Sequence, residues 1–254
     1  MVLDDDQLPP QPEPEDGFWR QATSAGALWR GLKVSLTTPG IILFASAAGF
    51  GALARDAGFS LWNSLFMMGI FFALPGQVVM IDQMARGASI MASALAVSLT
   101  GLRLLPMSVA LMPYLRGPKV TRFQYVIAAH FIAVTAWMEG WRRLPEVPVA
   151  LRMVHFIGIG SGFVAMTLLG TVFGYAVAGS VSKVLEAVLL FLTPIYFLLS
   201  LIATSARLPD TLAIAFGAIL GVPLYLWAPG FDLLLAGVLG GTLAHFAAKV
   251  RAPS

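Results

Sequence analysis

Arg103 is the residue of this sequence whose type and position most directly suggest chemistry. It is the single charge in the apolar stretch from Gly87 to Pro113, which contains no acidic residue to neutralise it. An arginine near the middle of a membrane-spanning helix costs at least about 2.5–3.5 kcal/mol on insertion-based scales, so it normally faces a polar cavity or a partner. Snorkelling to the headgroups, or a bond to a carbonyl, is the structural alternative. We predict that Arg103 receives the carboxylate of a solute.

A second candidate is the motif Leu74-Pro75-Gly76-Gln77. Pro75 removes a backbone donor, Gly76 adds conformational freedom, and Gln77 brings an amide into an apolar stretch with no other strongly polar residue before Asp82. This composition predicts an interrupted helix whose freed backbone groups and amide contact a solute. In the alternative interpretation, Gln77 bonds to a neighbouring helix.

A third candidate is centred on Pro194, which has a hydroxyl-bearing residue on each side, Thr193 and Tyr196. A threonine in this setting more often bonds to its own helix backbone than to a ligand. The set of predicted solute-binding residues is Arg103, Gln77, Pro75, Gly76, Thr193, Pro194 and Tyr196.

Pro75 and Pro194 occupy corresponding places in a faint internal repeat. A predicted span that ends in Gly49-Phe50-Gly51 precedes the first proline, and one that ends in Val172-Phe173-Gly174 precedes the second. Paired proline-broken helices in corresponding halves point to the central site of a transporter, because unwinding frees backbone N–H and C=O groups. An ordinary proline kink in each helix is the alternative.

The elements that position these residues are predicted to be membrane helices. Of the 254 residues, 58% are hydrophobic and 11% are charged, whereas a soluble domain has about 25% charged residues. The apolar runs are continuous, which favours helices over a barrel, and the length allows seven or eight spans. The absence of cysteine excludes disulfides and thiol chemistry. No metal-binding spacing occurs, so we expect neither metal nor cofactor, and a net charge of +3 scattered between spans does not suggest nucleic-acid binding.

The predicted organisation is a tail followed by one transmembrane domain. Residues 1–30 form an acidic, proline-rich tail, predicted to be disordered, with an interfacial segment, and residues 31–250 form the transporter domain. The predicted spans are 34–54, 61–84, 88–113, 122–140, 153–179, 184–206, 211–228 and 231–249. The fourth is the weakest. The best orientation places ten basic residues in the cytoplasm and five outside whether or not this segment crosses, so the positive-inside rule does not decide between the two cases. We prefer eight spans because 122–140 is apolar enough to cross and its His130 could face the bundle.

Several short motifs together resemble the AzlC family over about residues 30–249. They are Gly49-Phe50-Gly51 to Gly58-Phe59-Ser60, Phe72 to Gln77, Gly87-Ala88-Ser89, Arg103 with the Leu/Pro/Ser stretch after it, and Leu185-Glu186-Ala187 through Pro194. AzlC proteins are the large subunits of bacterial branched-chain amino acid exporters. The resemblance implies efflux of Leu, Ile, Val or Met across the inner membrane, with a small AzlD-type membrane subunit as obligate partner and no enzymatic activity.

The sequence departs from the family pattern around Arg103. In that pattern an acidic or amide residue often stands two positions before the arginine, a histidine just after it, and an acidic pair on the fourth span. Here those places hold Gly101, Leu104 and Ile132-Ala133. The resemblance therefore implies a more anionic solute, or another mode of coupling, for this member.

Two other classes of protein remain open. A non-transporting subunit of a larger membrane complex has the same composition. An intramembrane serine protease of the rhomboid type is suggested by Gly160-Ser161-Gly162 and by His245, although no set of oxyanion donors is identifiable.

Overall fold

The computed structural model describes residues 19, 22–85, 87–102, 104–118, 120–180, 182–204, 208–227 and 232–251. This part of the chain is helical and contains no strand. The helices are α1 (Ser24–Lys33), α2 (Thr38–Asp56), α3 (Leu61–Ile70), α4 (Leu74–Ala85), α5 (Ile90–Gly101), α6 (Leu104–Leu111), α7 (Arg122–Phe131), α8 (Val134–Arg143), α9 (Val149–Val177), α10 (Lys183–Thr204), α11 (Leu208–Trp227) and α12 (Asp232–Arg251).

Local sequence signals explain several helix ends. Thr23 caps α1 by accepting a hydrogen bond from the Gly26 N–H at 3.2 Å. Thr121 and Gln124 form a reciprocal capping box at the start of α7. Gly58, with φ of +81°, follows the end of α2 and turns the chain toward α3.

Helix α9 is the axis of the fold. It has 29 residues and is therefore about 43 Å long, which exceeds the roughly 30 Å hydrocarbon core of a bilayer. Helices α1, α2, α3, α7 and α8 all pack against it. Phe156, Ile159 and Phe163 on its surface are fully buried, as expected for a central helix.

Helices α1 and α2 run parallel to α9. Near the start of the contact Gly31 packs against His155, and near its end Arg55 Nη1 donates to the Tyr175 carbonyl at 2.9 Å. Along α1, Leu28 lies against Gly158 and Leu32 against Gly162. Along α2, Phe44 lies against Gly170 and Ala48 against Gly174. The residue numbers rise together on both sides, so each helix points in the same direction as α9. Close approach depends on glycine, since a Cβ at Gly51 would lie 2.8 Å from the Tyr175 nitrogen.

The two ends of the predicted repeat meet at this contact. Gly51 lies against Thr171 and Tyr175, and Gly174 lies against Ala48, where an added Cβ would be 2.6 Å from the Ala48 Cα. The Gly-Phe-Gly and Val-Phe-Gly segments therefore pack against each other reciprocally. The repeat itself stays a prediction.

Helix α10 returns antiparallel to α2. Lys183 at its start forms an ion pair with Asp56 at the end of α2. Further along, a Cβ at Gly49 would lie 2.9 Å from the Leu190 nitrogen. Helices α11 and α12 pack mainly against each other, through Gly240 on α12, whose added Cβ would lie 2.9 Å from the Gly217 nitrogen.

In the described residues, four helical stretches are long and apolar enough to cross a membrane by themselves. They are Thr38–Asp56, Ser93–Leu115, Val149–Val177 and Pro209–Trp227. Leu61–Ile70 and Leu235–Ala247 are shorter apolar helices. The described part of the chain is thus all-helical, and the chain is a multi-pass membrane protein. The number of seven or eight spans stays a prediction.

Two predictions about individual spans are wrong. In the fourth segment, His130 is exposed instead of facing the bundle; the segment consists of two helices, because α7 ends at Phe131 and α8 begins at Val134, and its crossing stays a prediction. The sixth span is not interrupted, because α10 continues through Pro194. An interior proline removes one backbone hydrogen bond, but α10 nevertheless continues to Thr204.

Candidate functional site

The first interruption lies between α3 and α4, at Phe71–Ala73. The Phe71 N–H closes α3 by donating to the Met67 carbonyl at 2.9 Å, and the Ala73 N–H donates to the Phe71 carbonyl at 2.7 Å. This i to i+2 bond is a γ-turn with Phe72 at its centre. The predicted break near Pro75 is confirmed, although it precedes the proline by a few residues.

Pro75 and Gly76 shape the start of α4 after the break. Pro75 is exposed and lies in the first turn, where its missing N–H leaves no helix bond unmade. Gly76 is buried beneath the Phe71 ring, and a Cβ there would lie 2.8 Å from Phe71 Cζ. The Phe71 ring can therefore fold back over α4 because residue 76 has no side chain.

Gln77 joins the two sides of the break. Its side chain is fully buried, and its Nε2 donates to the Met67 carbonyl at 3.3 Å and to the Phe71 carbonyl. Nε2 also lies 3.5 Å from Met68 Sδ. The Gln77 Oε1 is buried and has no hydrogen-bond partner. The Gln77 Nε2 thus bonds to the neighbouring helix α3, as the alternative interpretation expects, whereas Oε1 does not.

A second interruption lies between α7 and α8, at Ile132 and Ala133. Ile132 has φ of −73° and ψ of 89°, and the Ala133 N–H donates to the Phe131 carbonyl at 2.9 Å. This is again a γ-turn. Both breaks carry the pattern Phe, apolar residue, Ala, in Phe71-Phe72-Ala73 and Phe131-Ile132-Ala133. The same pattern also occurs at Phe163-Val164-Ala165 inside the uninterrupted helix α9, so it does not by itself predict the second break.

The central residues of the two breaks belong to one apolar cluster that includes the first half of α9. Phe72 and Ile132, the central residues of the two γ-turns, belong to a buried cluster with Phe163. Phe163 is the fifteenth of the 29 residues of α9. Phe131 packs directly on Gly160 of the same helix. Both breaks therefore contribute to the same buried apolar cluster as α9.

Charged groups in the described part of the chain pair near helix ends. Glu139 on α8 accepts from Arg142 at 2.8 Å and from Arg143 at 2.6 Å. Lys183 lies between Asp56 and Glu186. The buried Arg152 is not in an ion pair with any described residue, and its Nε donates to the Val147 carbonyl at 2.8 Å.

Unpartnered buried polar atoms are few among the described residues. They are Gln77 Oε1, Ser93 Oγ, Trp137 Nε1 and Glu186 Oε1. Gln77 follows the first break by four positions and Trp137 follows the second by four. In the sequence, each break is thus followed four positions later by one unsatisfied polar atom, an acceptor after the first and a donor after the second.

The other predicted site residues are not brought to the breaks by what the structure describes. Arg103 lies outside the described residues, between the end of α5 at Gly101 and the start of α6 at Leu104. The side chains of Thr193 and Tyr196 are also outside the described part, and Pro194 is exposed on an uninterrupted helix. The solute-binding role of all seven residues stays a prediction.

Comparison with known proteins gives one match. A family model described as AzlC protein matches residues 39–181. This range is more than half of the 254 residues and contains both breaks and α9. The chain matches no curated protein and no solved structure.

Proposed function

Because the chain belongs to the AzlC family, which is associated with membrane transport, we propose that it exports branched-chain amino acids, or a related small carboxylate-bearing solute. The transport is across the bacterial inner membrane. The observation that carries this proposal is the pair of helix breaks whose central residues, Phe72 and Ile132, are buried in one apolar cluster with α9. Discontinuous helices supply backbone polar groups to a solute inside an apolar bundle.

The parallel course of α2 and α9 supports eight crossings. If both helices span the membrane in the same direction, the chain between them must cross an odd number of times. The elements available are the α3–α4 pair, the α5–α6 pair and the α7–α8 pair. Three crossings fit this requirement, so the broken fourth segment counts as a span. Both termini are then in the cytoplasm, with ten basic residues on that side against five outside.

We further propose a small AzlD-like membrane subunit as partner. The support is the resemblance, together with an open face on α12. Nothing lies within 4 Å of a Cβ added at Gly237 or at Gly241. Small residues on an open helix face allow a second helix to approach closely.

The test is counterflow of radiolabelled leucine, isoleucine, valine and methionine into proteoliposomes. The purified chain is reconstituted with the small subunit or alone, and liposomes containing the small subunit alone are the control. We expect uptake only when both subunits are present. Robust uptake by the chain alone would refute the obligate partner. No uptake of any solute with both subunits would favour a non-transporting subunit of a larger complex.

The serine-protease alternative has no support in the described residues. The Ser161 hydroxyl donates to the Gly158 carbonyl of its own helix at 3.1 Å. His245 is exposed on α12, which packs mainly against α11, whereas Ser161 lies on α9. A nucleophilic serine needs a base within hydrogen-bond reach. A fluorophosphonate probe should therefore leave the chain unlabelled.

A further inference from the structure

Two backbone carbonyls fix the orientation of the Gln77 amide. Its nitrogen lies within hydrogen-bond distance of the Met67 and Phe71 carbonyl oxygens. Carbonyls only accept hydrogen bonds, so the NH₂ group must face them, and a flipped amide would place oxygen against oxygen. The Oε1 atom is therefore the end without a partner.

A buried acceptor without a donor destabilises the fold, and such an atom in a native structure calls for an explanation. Its position indicates the charge of the missing group. Gln77 lies beside the C-terminal end of α3, a helix of ten residues. The C-terminal end of a helix carries partial negative charge and favours a cation. The free Gln77 oxygen thus suits a positively charged donor.

The surroundings of this oxygen are apolar and adaptable. Met67 and Met68 next to Gln77 belong to a buried cluster with Phe50, Ala54 and Ile81. Methionine side chains are flexible and repack readily around other apolar groups. An entering solute could displace them with an aliphatic side chain of similar volume, while its polar head remains at the break.

We propose that Gln77 Oε1 receives the ammonium group of an apolar amino acid, whose side chain takes the place of Met67 and Met68. The inference rests on the proposed transport function and goes further, because it makes Gln77 the residue that selects solutes with an amine over carboxylates without one. A zwitterion with three N–H donors on its ammonium group satisfies the free oxygen. The proposed solute is therefore a zwitterion and not the more anionic solute that the surroundings of Arg103 suggest.

The experiment measures binding to the purified full-length chain with its small subunit in detergent, in sodium-free buffer, by ligand-induced shifts in Tm. The probes are leucine, 3-methylbutylamine, which lacks the carboxylate, and 4-methylpentanoate, which lacks the amine. Gln77→Lys keeps donors for the Met67 and Phe71 carbonyls and removes the acceptor. Gln77→Met removes both. Gln83→Met, on the same helix but outside the break, is the matched control.

We expect Gln77→Lys and Gln77→Met to weaken binding of leucine and 3-methylbutylamine ten-fold or more, the size of a hydrogen bond to a charged group. Binding of 4-methylpentanoate should change less than two-fold in Gln77→Met and should not weaken in Gln77→Lys, whose cation attracts the carboxylate. Gln83→Met should bind all three probes as the wild type does. Gln77→Lys should restore the Tm of the unliganded protein that Gln77→Met loses, but it should not restore binding of the amines. This result would separate the acceptor role of Gln77 from a structural role.

Three results overturn the inference. Leucine binding unchanged in both Gln77 variants removes the ammonium role and leaves the transport proposal intact. Equal loss of all three probes makes Gln77 a structural residue. Stabilisation of the wild type by NaCl over N-methylglucamine chloride, lost in Gln77→Met and with no effect of the amine, assigns the oxygen to a sodium ion. A wild-type protein that binds none of the three probes refutes the proposed function and the inference together.

Discussion

Gly170→Ala tests the parallel packing of α2 against α9 that places both helix breaks. A Cβ at residue 170 would overlap the Phe44 carbonyl oxygen, and it would lie 3.0 Å from the Phe44 carbonyl carbon and 3.1 Å from Ala47 Cβ. The obstructing atoms belong to helix backbone, which cannot rotate away as a side chain can. The two helices must therefore separate along their contact.

The cost follows from the size of this overlap. Overpacking of a tightly packed contact typically costs 1–3 kcal/mol, and contact with backbone places this site toward the upper end, at about 2–3 kcal/mol. One kcal/mol shifts the Tm of a chain of this length by roughly 2–4 °C. The expected decrease in Tm is therefore about 4–12 °C.

The assay is thermal unfolding in detergent, followed by tryptophan fluorescence and by loss of the monodisperse peak in size-exclusion chromatography. Gly237→Ala is the matched control, because nothing lies within 4 Å of its added Cβ and alanine favours helix over glycine. Its Tm should be unchanged or slightly higher. If Gly170→Ala were as stable as Gly237→Ala, the close contact of α2 and α9 would be refuted.

Three further predictions follow from the proposed transporter. Arg103→Lys should lower transport strongly at near-normal expression, because a point charge replaces a planar fork that can bind a carboxylate with two hydrogen bonds; wild-type transport by Arg103→Leu would end the carboxylate role. Gly237→Leu or Gly241→Leu should abolish co-purification of the small subunit and transport together, while the chain still inserts; retained co-purification would move the docking site elsewhere. The chain has no native cysteine, so Arg116→Cys and Glu146→Cys, one on each side of the fourth segment, can be labelled singly. A membrane-impermeant thiol reagent should reach position 116 only from the periplasm and position 146 only from the cytoplasm. Labelling of both positions from the same side would mean that the fourth segment does not cross.

Much of the helical framework is predictable from local sequence. Continuous apolar runs predict membrane helices, because backbone polar groups in lipid must be satisfied within the segment. The spacing of Gly158, Gly162, Gly170 and Gly174 predicts close helix contacts, and all four lie against α1, α2 or the turn between them. The Pro-Gly pair predicts a break in the second span, which the structure places at Phe71–Ala73.

The second break depends on contacts far away in the sequence. Phe131-Ile132-Ala133 contains neither proline nor glycine, and the γ-turn is held where Phe131 packs on Gly160 and Ile132 enters the core around Phe163. Pro194 shows the converse, because a residue that lowers helix propensity sits within a helix of 22 residues. The free oxygen of Gln77 could likewise not be predicted from the sequence, because the orientation of its amide depends on carbonyls six and ten residues earlier.

The central claim is that both breaks face one solute path, and cysteine protection tests it most directly. Single cysteines are introduced at Ala73 and Ala133, one in each break, with Ala85→Cys at the exposed end of α4 as control. A small thiol reagent is applied to the reconstituted chain and its small subunit, with and without leucine. Leucine should slow modification at positions 73 and 133 and leave position 85 unchanged. Protection at only one break, or at neither while leucine transport continues, would contradict a shared site.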